Sequence, residues 1–275
     1  MEELTTNPLF QSGVLPFVVA LVGALALHPL GWRWAGLAFI LAFGAAVHFI
    51  IGFQITPFTS TRKIIALTGA AVILGLAFDA LANTYQRYIP MVVALLATGA
   101  VTWLIWPVVK RLDGQEYLIM LSASIAYGVW LITWSESLRT KSNRAATTAL
   151  ALGIGTSISA VLGASALLGQ LGGTLAAAAG AFVLLIAVNK PAALGSSFIL
   201  PAALASTLIS LAAVIYAGLN AYALIPLALI PLFARIPVKQ EWHPTLKLIL
   251  LNLYTLPLSA TAIYITWQTA GESLY

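Results

Sequence analysis

The sequence predicts an all-α, polytopic integral membrane bundle of about ten transmembrane helices forming a single domain. Three observations predict it. Apolar residues fill 61% of the 275 positions and charged residues only 8%, against roughly 25% charged in a soluble domain. Mean hydropathy is +0.98, so the chain lacks the polar atoms to cover a water-facing surface, and a bilayer supplies the missing apolar solvent. The apolar residues also fall into runs near the length that a hydrocarbon core requires, about 20 residues per helix. None alternates like a barrel strand, and lipid cannot satisfy exposed backbone amides, so the runs are helices.

Taken in order, the runs cover 13–30, 34–53, 64–83, 90–109 and 117–138, then 145–169, 173–189, 197–218, 220–236 and 244–268. Each ends at a charge, a proline or a glycine. The divisions within 145–189 and 197–236 are the weakest, since each could hold two crossings or one long helix with a re-entrant piece. Aromatic rings stand where headgroup anchors belong: Trp32 and Trp34 flank Arg33, Tyr85 and Tyr88 flank Arg87, and Trp134, Trp242 and Trp267 lie near run ends. The polar break RTKSNR at 139–144 divides the chain into two sets of five, 13–138 and 145–268. Five is odd, so a repeat relating the halves would have inverted topology. This ten-helix, five-plus-five layout resembles that of drug/metabolite transporters, without a shared motif.

With ten crossings, Arg62, Lys63, Lys110 and Arg111 share the side of the termini. Arg33, Arg87, Arg139, Lys141, Arg144, Lys190, Arg235 and Lys239 lie on the other side, a balance of 4 to 8. The positive-inside rule then places both termini away from the cytoplasm, in a cytoplasmic (inner) membrane. The net charge of +5 is spread over short connections, which is a membrane pattern and excludes a nucleic-acid role. Without cysteine there are no disulfides, thiolate metal sites or thiol nucleophiles. The first ten residues, MEELTTNPLF, lack the basic n-region of a cleavable signal.

Few residues could carry chemistry. Asp79 is the one acid well inside an apolar run, where carboxylates are costly and often belong to proton or substrate pathways. It is expected to border a polar cavity or to reach the interface, with Asn83 one turn beyond. Glu136, beside Arg139 and Lys141, reads as an interfacial salt-bridged acid. His48 lies deep in the second run with Gly44 one turn before it. That pocket could admit a neighbouring helix, or the flat ring of a chlorin or haem. His28 and His243 precede prolines and read as boundary residues. No HExxH and no GxSxG occurs, so neither a zinc protease nor a nucleophile elbow is supported; the sequence leans against an enzyme without deciding it, since a triad assembles across a fold.

Gly155, Ser159 and Gly163 recur every fourth residue and form a smooth ridge that suits close helix packing. Pro201, Pro226, Pro231 and Pro257 interrupt the later runs and free backbone carbonyls. Asn252, Tyr254 and Thr255 lie in an apolar run before Pro257, so any polar cavity belongs between the last three helices; a kink satisfied by neighbouring Ser or Thr hydroxyls is the alternative. These features give two main readings of function, a secondary transporter or permease for a small solute and a non-catalytic integral subunit of a larger membrane assembly; a third, an enzyme acting on lipid or holding a pigment, rests on His48 alone. Its partners are then membrane lipid and, in the second reading, other membrane subunits. Substrate, coupling ion and cofactor are not specified by the sequence.

Overall fold

In a computed structural model, residues 7–27, 34–52, 56–188, 194–239 and 241–270 are described. Among them the chain forms ten α-helices and no strand. They are α1 (Leu15–Leu27, entered through a π-turn at Phe10–Val14), α2 (Ala35–Ile50), α3 (Ser60–Tyr85), α4 (Ile89–Val109) and α5 (Gly114–Glu136). Then follow α6 (Ser142–Gly163), α7 (Ala166–Ala187), α8 (Ser196–Ala217), α9 (Leu224–Phe233, after a 3-10 turn at Ala221–Ala223) and α10 (Pro244–Ala270). Eight helical segments are long and apolar enough to cross a membrane; α2 and the α9 region are shorter. The chain is a multi-pass membrane protein. Large apolar side chains such as Ile73, Leu95, Leu118 and Leu253 face outward, which only an apolar solvent tolerates over so wide an area.

Local chemistry sets the helix ends. The Thr59 hydroxyl accepts from the Arg62 amide at 3.4 Å and starts α3, a standard N-cap. Gly218, at φ +76°, ends α8 in the left-handed conformation that glycine adopts without strain. The turn between α6 and α7 falls at Ala164–Ser165, earlier than the expected break at 170–172. Gly172 is inside α7, where a Cβ would lie 2.8 Å from Ser157 Cα. The glycine pair 172–173 therefore marks a close approach between helices, and the turn lies elsewhere.

Successive helices run antiparallel, giving the bundle two ends. At the terminal end, Gln11 Nε2 donates to Phe49 O at 3.3 Å and Tyr216 Oη to Leu104 O at 2.5 Å. Lys63 Nζ donates to Trp103 O at 2.7 Å there and lies over the same indole. At the other end, the Leu194 amide donates to Ser142 Oγ at 3.1 Å and Thr245 Oγ1 to Ala187 O at 3.0 Å. That end holds Arg87, Arg139, Lys141, Arg144, Arg235, Lys239 and Lys247, and we call it the basic end. Arg33, Lys190, His28 and Trp32 lie outside the described residues, as does the side chain of Asn83.

Helix α8 is buried along nearly its whole length and is the most buried helix of the bundle. It packs along α3, and also against α5 and α6. Around it α1 pairs with α2, α6 with α7, α4 with α5 and α9 with α10. α6 also packs along α10, whereas α1 packs along α7.

Candidate functional site: a buried acid pair at the start of α8

The first amides of any helix lack intrahelical acceptors and carry the positive end of its dipole. In α8 this end lies inside the bundle, and a carboxylate from another helix meets it. Asp79 of α3 accepts from the Ser196 amide on Oδ1 at 2.7 Å and from the Ser197 amide on Oδ2 at 3.0 Å. Asp79 is only 6% exposed. Both its oxygens serve the backbone, so its desolvation is offset by charge-assisted bonds.

A second acid reaches the same helix end. Glu136, the last residue of α5 and 3% exposed, accepts through Oε1 from the Ser196 hydroxyl and from Arg139 Nη1 at 3.4 Å. Its other oxygen, Oε2, is buried without a hydrogen-bond partner. The ion pair with Arg139 that the sequence suggests is present, but Glu136 sits in the interior rather than at a wet interface. Ser196 thus links both acids, one through its amide and one through its hydroxyl.

Three glycines make room for this arrangement. A Cβ on Gly75 of α3 would lie 2.6 Å from Ser196 O and from Ser197 Cα. One on Gly36 of α2 would lie 2.6 Å from the Ser197 carbonyl carbon, and one on Gly195 would meet the Asp79 carboxylate itself. Larger residues at these positions would push α8 off its cap.

Polar groups continue from the acids along the α5-facing side of α8. Ser196, Thr207 and Ser210 lie 11 and 14 positions apart, within about 60° of one another at 100° per residue. Thr207 Cγ2 lies beside Gly128 of α5, and Ser210 pairs with Thr156 of α6 at 3.3 Å. Tyr127 of α5 lies against Ser210. Next to Tyr127 and Ser124 a cavity of about 420 Å³ opens between α5 and α8 towards the terminal end, with Glu116, Leu211 and Val214 also in its wall.

The other residues singled out by sequence do not join this site. Asn252 Nδ2 donates to Leu248 O and Thr255 Oγ1 to Leu251 O, both at 2.9 Å, so these polar groups turn back on α10. Asn252 Oδ1 is buried without a partner, Tyr254 is half-buried and Pro257 exposed. None of the four lines the cavity between α5 and α8. His48 is exposed, with its ring edge-on to Phe49 at 5.4 Å, and the space beside Gly44 is open. Gly155 faces Leu227 of α9 and Ser259 of α10, Gly163 faces Thr266 of α10 and Leu219, and Ser159 is buried between them. Sequence reasoning missed Ser196, Ser197, Gly36, Gly75 and Gly195 as site residues. The signal was present as Gly-Ser-Ser at the head of an apolar run, a recognisable helix start.

No protein-family model and no curated protein matches the chain. The chemistry must be read from the residues alone. Both Asp79 oxygens accept from amides, leaving Glu136 Oε2 as the one carboxylate oxygen of the pair without a hydrogen-bond partner. Among the described residues no group of three His, Cys, Asp or Glu side chains could hold a metal ion.

Proposed function

We propose that the protein is a secondary transporter or permease for a small solute. Asp79, Glu136 and the first turn of α8 form its coupling site, and the cavity between α5 and α8 is its solute route. One observation carries the reading: two buried acids meet at a single helix end, with one carboxylate oxygen left open. A cap for α8 needs only Asp79. A second buried acid is costly in a membrane interior and marks function more often than structure. Its charge state bears on how firmly α8 is held against α3 and α5, which gives a proton a differential effect on two packings of the bundle. The pairing of α1 with α2 and of α4 with α5, matched by α6 with α7 and α9 with α10, supports two five-helix halves of inverted topology.

The membrane is the cytoplasmic one, and the basic end faces the cytoplasm. Seven Lys and Arg side chains at that end against four at the terminal end support this orientation.

The test uses the absence of native cysteine. Ser124 is buried in the cavity wall, so Ser124→Cys in sealed vesicles reports access from the terminal end through an impermeant thiol reagent. The reading expects labelling whose rate changes at least about threefold when Asp79→Asn or Glu136→Gln is added, a shift of about 0.7 kcal/mol or more between two packings. Identical rates in all backgrounds would sink it.

A further inference from the structure

At the basic end, away from the acid pair, a second cavity of about 240 Å³ lies between the start of α6, the strap after α9 and the first turns of α10. Its wall holds Lys141, Ser142, Asn143, Arg144, Val238, Lys247 and Leu251. Three of these are cations, Lys141 at the N-cap of α6, Arg144 in its first turn and Lys247 in α10, and among the described lining residues none is an acid. Glu241, the nearest acid in sequence on the strap, is exposed and lies outside the wall.

The placement of these charges opposes their own helices. Arg144 sits in the first turn of α6 and Lys247 near the start of α10, where a helix dipole favours anions and disfavours cations. Arg144 Nη1 donates to Ala234 O, at the C-terminal end of α9, at 2.8 Å, which holds the guanidinium at the cavity. Arg235 stands close by, and burial followed by the like charge of Arg144 lowers its pKa from the usual value. Positive charge from three side chains thus gathers on one half-polar, half-apolar cavity, a setting that favours an anion.

We propose that this cavity binds a phosphate group. Lys141, Arg144 and Lys247 supply the charge, Ser142 and Asn143 supply hydrogen bonds, and Val238 and Leu251 form an apolar wall. Basic pockets between helices at the cytoplasmic face are suited to the phosphate of an anionic lipid, and a free phosphate offers the same chemistry.

The experiment follows the melting of the purified full chain in mild detergent. It titrates dioctanoyl phosphatidic acid, zwitterionic dioctanoyl phosphatidylcholine and inorganic phosphate. Wild type is expected to be stabilised saturably by the phosphatidic acid and far less by the phosphatidylcholine. The Lys141→Gln/Lys247→Gln variant should need about tenfold more ligand, as loss of charged hydrogen bonds implies, whereas Lys247→Arg should keep most of the affinity. Should the double variant fold poorly, Lys141→Gln alone, at an exposed position, should still weaken binding by about threefold. Saturation by inorganic phosphate alone, lost in the same variant, would support the site with a free phosphate as its occupant. A wild type that responds to neither phosphate source, or a folded variant that responds like wild type, overturns the proposal.

Discussion

Asp79 and Ser196 lie 117 positions apart, and the Asp79 carboxylate accepts the Ser196 amide at 2.7 Å while its other oxygen takes the Ser197 amide. One side chain thus fixes α3 to the buried N-terminal end of α8, the most buried helix of the bundle. Removing it leaves two buried amides without acceptors. Asp79→Ala is expected to cost about 2–4 kcal/mol, the range for charged hydrogen bonds and unsatisfied buried donors. Asp79→Asn retains one acceptor and should cost less. Thermal melts in detergent check the order wild type, Asn, Ala; an Ala variant as stable as wild type would contradict the cap.

Gly75 and Gly69 share α3 but not their surroundings. A Cβ on Gly75 would meet α8 backbone at 2.6 Å, and one on Gly69 would meet nothing within 4 Å. Gly75→Ala should therefore destabilise by about 1–3 kcal/mol through overpacking, while Gly69→Ala should be neutral or slightly stabilising through helix propensity. The same melting assay reads both. Equal effects would mean that α3 and α8 are not in backbone contact at Gly75.

Gly155 gives a second matched comparison. A Cβ there would lie 2.6 Å from Leu227 and 3.2 Å from Ser259, whereas Gly44 is open. Gly155→Leu should lower the melting temperature well below that of Gly44→Leu, although the two changes add identical atoms. If Gly155→Leu melts no lower, the contact between α6 and α10 is looser than described.

The helices are legible in the sequence because each apolar run ends at a charge, proline or glycine, and the ten runs correspond to the ten helices. The turn at Ala164–Ser165 is not legible, since small and apolar residues continue through it and Gly172 and Gly173 offer a more obvious break. The acid pair is legible only in part. Asp79 is conspicuous as an acid in an apolar run, but its partners are backbone amides, which carry no residue signature. Glu136 reads as an ordinary interfacial acid because sequence cannot reveal that the end of α5 turns inward onto Ser196. The glycines at 36, 75 and 195 matter through what faces them, and that depends on helix pairing across the whole chain.

Orientation is open to a direct check in this cysteine-free chain. Asn7→Cys and Lys141→Cys both lie at exposed positions, at opposite ends of the bundle. An impermeant thiol reagent added to intact cells should label the first from outside and spare the second until the membrane is opened. Labelling of both from one side would contradict the alternating path of the helices, and the reverse pattern would invert the orientation.

The most direct measurement of the central claim follows the cavity mouth while the acid pair is altered. Spin labels at Asp113→Cys, before α5, and Ala221→Cys, after α8, stand at exposed positions on either side of the opening at the terminal end. Pulsed dipolar spectroscopy on the reconstituted protein then gives the distribution of distances between them. If the acids at the start of α8 set the packing of α5 against α8, Asp79→Asn and Glu136→Gln should each shift population between a shorter and a longer distance. Distributions that superimpose on the wild type in both variants would show that the acid pair holds the fold together without governing the cavity, and would contradict the coupling role.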